Sequence, residues 1–483
     1  MIPVPDWSLP IPFTTDGMQV LGCPVGSDSF VQRQCVKFTQ NRLPFLKKLR
    51  CMRNLQSAML LLRYCGVPTI THLLRSAAPH NVAEAAAQHD LDILDTFQSI
   101  IGISATVQQK SQISLPISLG GFGLLSAASA SPCAFLGSWA STLAFLPERL
   151  PQFPSAPLDI NVTPPDIVHH CLELLKKSCS AISEVLPSIE ALPEKVLKLQ
   201  SRLTRCLADR DFDNLITVSD QRSKARLRSA ACSEAGAWLD ALPSSRELSF
   251  TSAEFQTATL LRLGGSIPML RQIRRCNCGA EVADLGYHVI TCAVGSGATR
   301  RHNAIQFGWL KMLQSVNYVC DLEREHQFDN SNKRPDIGVF NFNDGKKLLL
   351  DVSIAHPQAS TVLPQSAKNA GHAASERDNF KIKKFREEAN KLGYLFEPLV
   401  MEVFGRWSPI ALRILRQVAE RPSIDFFNDK NSFLAYWRRH MAVCLQRENA
   451  RIILRKVKCI VPHSPVCVSV SSVDTSVRCF NRD

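Results

Sequence analysis

Aromatic side chains make up only 7% of this 483-residue chain, and its first ten residues pair no basic segment with an apolar one. A secretory signal needs both, so none is expected; the opening residues read as a start in mid-domain. No segment repeats itself at a period of 20–50 residues, which excludes solenoid and propeller architectures. The run from Ser111 to Leu146 holds no charge, but prolines, glycines and serines dilute it. A spanning helix wants ~20 mostly apolar residues, so packed short helices are expected there and no membrane partner. The cysteines number 17, and most, such as Cys65, Cys133 and Cys444, stand singly in helical or apolar surroundings. That pattern is one of reduced, intracellular thiols rather than a disulfide framework, and in such a setting the sequon Asn161-Val162-Thr163 carries no weight.

What is abundant is positive charge. Lys and Arg total 56 against 43 Asp and Glu, a net charge of +13, which points to a polyanionic partner, either nucleic acid or an acidic membrane surface. The length calls for more than one core. Over residues 44–65, Leu46, Leu49, Met52, Leu55, Met59 and Leu62 recur at helical spacing with Lys47, Lys48, Arg50 and Arg53 between them. They predict one basic amphipathic helix broken near Gly66 and Pro68, either a solvated face or a helix laid on a nucleic-acid backbone. Six prolines between Leu146 and Pro165 mark a linker. Residues 166–262 read as helical again, and the Ser/Thr-rich C-terminal end as a poorly ordered tail.

Between Arg300 and Gly405 the order of elements carries the most information. Ile305, Trp309, Met312, Leu313 and Val316 share a helical face, predicting a helix over 302–317. Extended runs follow at 318–328, 336–343 and 347–355, then a helix over 375–392 and a strand over 394–403. Asp344-Gly345 is a two-residue hairpin signal. Taken literally it sets Asn343 against Lys346 and Gly338 against Asp351, with Asp336 a diagonal neighbour ~7–8 Å away. Two carboxylates on one face can share a divalent cation through hard oxygen ligands. The plain alternative makes Asp336 a strand-entry residue after Pro335 and Asp351 a solvated charge, yet Asp351 interrupts an apolar strand where a lone carboxylate is costly. A lysine two residues beyond the second acid would complete such a site, but that position is Ser353. Lys381, Lys383 and Lys384 on the next helix are the candidates, Lys381 and Lys384 sharing a face. Glu376, Glu323, Glu325 and Glu402 are further acids, Glu325 being favoured on the strand before the hairpin. Upstream, Cys276, Cys278, His288 and Cys292 follow a C-x-C-x9-H-x3-C spacing. Three thiolates and an imidazole suit tetrahedral Zn²⁺, with His302 as a replacement ligand.

Arg334-Pro335-Asp336, fourteen intervening residues, Asp351, then Lys381 and Lys384 resemble the PD-(D/E)XK nuclease superfamily, specifically the restriction-like endonuclease of non-LTR (LINE-like) retrotransposons. In that family a Cys/His knuckle precedes the endonuclease. Val20-Leu21-Gly22-Cys23-Pro24-Val25-Gly26-Ser27 resembles the turn after a polymerase active site, and Leu115-Pro116-Ile117-Ser118-Leu119-Gly120-Gly121-Phe122-Gly123-Leu124 resembles a thumb motif. A reverse transcriptase also needs a Tyr/Phe-x-Asp-Asp turn, and none occurs.

The resemblance implies an α+β multidomain chain: a palm-end and thumb-like helical region over 1–148, a proline-rich linker over 149–165, a helical connector over 166–270, a zinc knuckle over 271–300, an α-β-β-β-α-β restriction-endonuclease-like core over 301–425, and a basic helix and tail over 426–483. It implies a DNA-nicking enzyme, without polymerase activity in this chain, working in the nucleus on double-stranded DNA and in contact with element RNA. Asp336 and Asp351 would bind Mg²⁺ or Mn²⁺, Lys381, Lys384 and Glu325 would complete the catalytic set, and Cys276, Cys278, His288 and Cys292 would bind Zn²⁺. Lys47, Lys48, Arg50, Arg53 and Arg334 would contact nucleic acid. The competing expectation is a non-catalytic, zinc-containing nucleic-acid-binding remnant; a third is a junction-resolving or repair nuclease of the same superfamily.

Overall fold

The computed structural model describes residues 16–149, 166–185, 198–322, 334–343, 345–421 and 429–460. Glu323, Glu325, Asp344, the linker over 150–165 and the tail from 461 lie outside the described residues. The chain is mixed α and β, mostly helical with two small sheets. In chain order the main elements are β1 (Gly17–Val20), β2 (Cys23–Gly26), α1 (Asp28–Gln40), α2 (Leu43–Arg50), α3 (Leu55–Leu61), α4 (Thr71–Ser76), α5 (Pro79–Ile101), α6 (Val107–Ser114), α7 (Ala127–Arg149) and α8 (Asp166–Ser178). Then come α9 (Leu199–Val218), α10 (Gln221–Ala230), α11 (Ser252–Leu263), α12 (Tyr287–Thr291) and α13 (Gly297–Gln314). The last are β3 (Cys320–Leu322), β4 (Ile337–Asn343), β5 (Lys346–Ala355), α14 (His372–Lys391), β6 (Leu395–Glu402), α15 (Pro409–Val418) and α16 (Lys430–Ile460).

These residues form two compact units, each assembled from separate chain segments. The first takes in the described residues of 16–48, 64–96 and 125–210. Its β1–β2 hairpin turns at Leu21 and Gly22, both at positive φ, which suits the right-handed twist of the paired strands. Asp90 starts α7 by accepting hydrogen bonds from Ser126 Oγ at 2.6 Å and the Ala127 amide at 2.7 Å. The uncharged run begins with the end of α6 and a short helical turn at Ile117–Leu119, as expected, and then supplies one long helix, α7; among the described residues no helix is long and apolar enough to cross a membrane.

The second unit takes in the described residues of 49–63, 97–124 and 211–460. The single helix expected over 44–65 is instead broken at Cys51–Asn54, where Asn54 caps α3 by accepting from the Ser57 amide at 2.9 Å. An Asx side chain that satisfies an orphan amide starts a new helix, and the continuous basic face is lost. The glycine-rich loop after α6 is pinned by Arg262, which donates to the carbonyls of Gly121 at 3.1 Å, Ile117 at 3.1 Å and Ala235 at 3.2 Å. A Cβ at Gly121 would lie 2.0 Å from the Leu115 carbonyl oxygen, so only glycine fits.

The order from α13 to β6 is helix, three strands, helix, strand, as expected. The sheet runs β3-β4-β5-β6, antiparallel between its first three strands and parallel between β5 and β6. Strand alternation divides β5 cleanly. Leu348, Leu350 and Val352 join the core built by α13, α15 and α16, whereas Leu349 packs under Phe385 and Phe396, and Ala355 under Ala373 and Ala374 of α14. The basic helix expected after residue 426 is α16, and it is a central element rather than an appendage. Trp437, Met441, Leu445 and Ile453 are buried along it, and Arg451 reaches Glu254 of α11 at 2.6 Å.

Candidate metal centre and acidic site

Cys276 and Cys278 lie on a tight turn closed by a Gly279 N–H to Cys276 O hydrogen bond of 2.8 Å, with Gly279 at φ +86° where a side chain would be strained. Gly286, also at positive φ, starts the five-residue helix α12, which carries His288 and ends beside Cys292. Cys276 Sγ lies 3.5 Å from Cys292 Sγ, and Cys278 Sγ lies 3.2 Å from His288 Nε2. All four ligand atoms fall within 4.8 Å of one another. Tetrahedral zinc with sulfur at about 2.3 Å sets its ligand atoms ~3.5–3.8 Å apart, so the donors suit the ion in number and type, and the Cys276–Cys292 gap matches that spacing. Burial works against ionisation of Cys276, but hydrogen bonds from the Cys278 amide, His288 and Lys456 prevail and bring its thiol down to about 6. Burial, followed by the neighbouring thiols, raises Cys292. The segment also shares its apolar side with the larger core: Val289 and Ile290 are buried, and Arg301 Nη1 donates to Ile290 O at 3.2 Å and Asn449 Oδ1 at 2.8 Å.

His302 is not part of this cluster. It stands on α13 with its Nε2 3.2 Å from Asp336 Oδ1. Sequence spacing alone placed it beside the thiols, but the helix carries it to the sheet.

The expected hairpin register holds at the turn, where Asn343 faces Lys346, and fails beyond it. Asn341 sits at φ +53° in an irregularity between Val339 and Asn343, after which Val339 faces Leu348 and Gly338 faces Leu349 rather than Asp351. The bulge shifts the pairing by two positions. Continuing the ladder one step past Ile337–Leu350 sets Asp336 directly against Asp351 instead of diagonally. The Asp336 amide donates to Leu350 O at 3.0 Å, its Oδ2 accepts from the Val352 amide at 2.5 Å, and its carbonyl accepts from Gln306 Nε2 at 2.9 Å.

Asp351 is 3% exposed, and its Oδ2 lies 2.6 Å from Lys381 Nζ. Burial and then the Asp336 charge raise its carboxyl above the ordinary range, against the pull of Lys381 and His302. The hydrogen bond to Asp336 raises His302 above the usual histidine value, against burial. One turn back along α14 from Lys381, Arg377 Nε donates to Ser353 Oγ at 3.4 Å, so the helix follows alternate residues of β5. Asp378 beside it is pushed up to about 7 by burial.

Among the residues singled out from sequence, the structure brings together Asp336, Asp351 and Lys381. Lys383 and Lys384 are exposed, the latter with Nζ 4.7 Å from the Phe385 ring centroid. Glu376 is exposed, and Glu402, opposite Ala355, is buried and accepts from the Ala374 amide at 3.2 Å. Lys47, Lys48, Arg53 and Arg334 are exposed and Arg50 is half-buried. Among the described residues the Cys/His set is the one group of three or more metal-ligating side chains; Asp336 and Asp351 supply two hard donors. What was missed was Gln306 and the place of His302 beside Asp336 rather than the thiols; their i, i+4 spacing on a helix with a buried Ile305 face was the available signal. Compared with known proteins, the chain matches no protein family and no curated sequence.

Proposed function

We propose that the chain is a metal-dependent endonuclease that nicks double-stranded DNA, as the target-nicking part of a non-LTR retrotransposon protein does before reverse transcription. The observation that carries this reading is the 2.6 Å approach of Lys381 Nζ to Asp351, beside Asp336, across a strand and the helix that follows it. Asp336 and Asp351 would hold Mg²⁺ or Mn²⁺; when bound, the ion acidifies water and neutralises phosphate charge. The ammonium of Lys381, fixed over β5, supplies a positive charge where the scissile phosphate gains negative charge. His302 and the Val352 amide hold the Asp336 carboxylate in place. The Cys/His centre would bind Zn²⁺ and stiffen the segment that leads into α13, with Arg274, Arg275 and Arg300 offered to DNA or element RNA. No polymerase activity is assigned to this chain, which lacks a Tyr/Phe-x-Asp-Asp turn. Its place of work would be the nucleus.

Conversion of supercoiled plasmid to nicked circles in Mg²⁺ tests this reading. Asp351→Ala is expected to remove nicking by roughly 10²-fold or more; equal activity in that variant sinks the assignment. A second reading draws on the same contacts: each carboxylate already meets a basic side chain, as in a structural ion-pair cluster. It predicts salt-dependent DNA binding and no cleavage with either metal.

A further inference from the structure

Four arginines are buried in the second unit, Arg63 at 8%, Arg226 at 4%, Arg262 at 4% and Arg301 at 5% exposure, the last donating to the Ile290 carbonyl and Asn449. Arg63 pairs with Asp240 at 2.8 Å. Arg262 donates to main-chain carbonyls and stands over the Phe122 ring. Arg226 donates to Gln112 Oε1 at 3.0 Å and to the Arg262 carbonyl, and the Tyr287 hydroxyl faces it, yet its buried Nε has no hydrogen-bond partner. No carboxylate forms an ion pair with Arg226 or Arg262 among the described residues. A guanidinium removed from water without a counter-charge is costly, and the C-terminal turn of α11 offsets only part of that cost.

Arg226 also lines a cavity of about 290 Å³ bordered by α6, the end of α9, the start of α10 and Tyr287. Its walls are mixed: Leu215, Leu227 and Leu263 line it together with Gln109, Ser219 and Ser223, and the exposed Arg222 joins them. The one acid in the wall, Asp220, is turned onto the start of α10, accepting from the amides of Arg222 at 2.8 Å and Ser223 at 3.0 Å. With this one acid against two guanidinium groups, the wall keeps a net positive charge. The volume lies at the small end of the roughly 300–1,000 Å³ of ligand pockets, which suits a compact ligand.

We propose that this cavity binds a phosphate group, with Arg226 at its base and Arg222 and the Tyr287 hydroxyl beside it, and that the phosphate belongs to a mononucleotide or to the phosphorylated end of a strand. The inference does not rest on the nuclease reading: the acidic pair and the cavity share no residue.

Calorimetry and thermal unfolding of the full chain at constant ionic strength, with inorganic phosphate, AMP, and one oligonucleotide bearing either a 5′-phosphate or a 5′-hydroxyl, test it. Saturable binding of phosphate and AMP with a raised Tm is expected. Arg226→Gln is expected to abolish it, and Arg222→Ala, at an exposed position that leaves the fold intact, to weaken it about tenfold. Preference for the 5′-phosphorylated strand assigns the site to strand ends; equal binding of the two strands, with AMP bound, assigns it to free nucleotide. Asp351→Ala is expected to bind phosphate as the wild type does. Absence of saturable phosphate binding, or equal binding by wild type and Arg222→Ala, overturns the proposal.

Discussion

Cys276, Cys278, His288 and Cys292 come from one short stretch of chain, whereas His302, Asp336, Asp351 and Lys381 come from a helix, the residue before β4, strand β5 and a second helix of the same unit. The first set is soft, nearly preassembled by two glycines at positive φ, and its donors lie within 4.8 Å of one another. The second is hard and depends on a bulge, a strand register and the seating of α14 over β5. A local cluster of this kind would be stabilised by a bound metal, and a dispersed one is held by the fold around it. Metal removal should separate the two most sharply. Chelation, or Cys276→Ser, is expected to lower unfolding stability by about 3 kcal/mol or more, since such a site contributes its binding energy to folding. Metal analysis of the purified chain should find one tightly held zinc. A chain with no zinc and an unchanged Tm in chelator would erase the contrast.

The next largest effect lies at the acidic pair. Asp351→Asn removes a carboxylate that burial already disfavours, so its stability should fall little while nicking is lost. Asp351→Ala should unfold more easily as well, because it leaves Lys381 nine-tenths covered and opposite nothing. If both variants unfold alike and both still nick, the pair is neither catalytic nor an ion-pair anchor.

The same contrast decides what could be read from sequence. Cys/His spacing was sufficient because its ligands are neighbours along the chain. The order of strands and helices around residue 350 was legible because apolar period marks each element separately. The pairing of Asp336 with Asp351 was not, because Asp344-Gly345 fixes register only locally, and Asn341 at φ +53° then shifts it by two. That shift kept both acids on one face, so their proximity was expected from a wrong ladder; a shift of one would have separated them. His302 was misassigned for a related reason: it is near Cys292 in sequence, but α13 is a rigid rod that leads away from the thiols.

Protonation offers a finer test of the acidic set. The raised His302 favours the charged form in the folded state, so its contribution is complete below its unfolded value of 6.5 and is lost as pH rises through the folded value. Thermal unfolding of His302→Gln should be lowered at pH 6 and should converge on the wild type at higher pH; a gap that widens with pH contradicts the contact. Asp378, pushed up to about 7, also contributes most at low pH and loses that contribution as pH rises through about 7. Above that, Asp378→Asn should be the more stable chain. It is the control for a buried acid outside the pair: it should move the stability curve without moving nicking.

The smallest effect expected, and the one that best separates the fold from the motif, concerns the two lysines that helical spacing made equivalent. Lys381 and Lys384 both stand near Phe385, with Nζ 5.6 Å and 4.7 Å from its ring. Only Lys381 turns to Asp351, because Phe385 and Ala389 bury the following turn of α14 against Leu349 and Phe396 and so fix the helix rotation. Lys384 is thereby left on the outer face. Lys384→Ala should nick at nearly the wild-type rate and, through one lost positive charge, weaken DNA binding slightly at low salt. Lys381→Ala should remove cleavage while retaining that binding. Should the two variants exchange these behaviours, the rotation of α14 over β5, and with it the lysine proposed to act beside Asp351, would have to be reassigned.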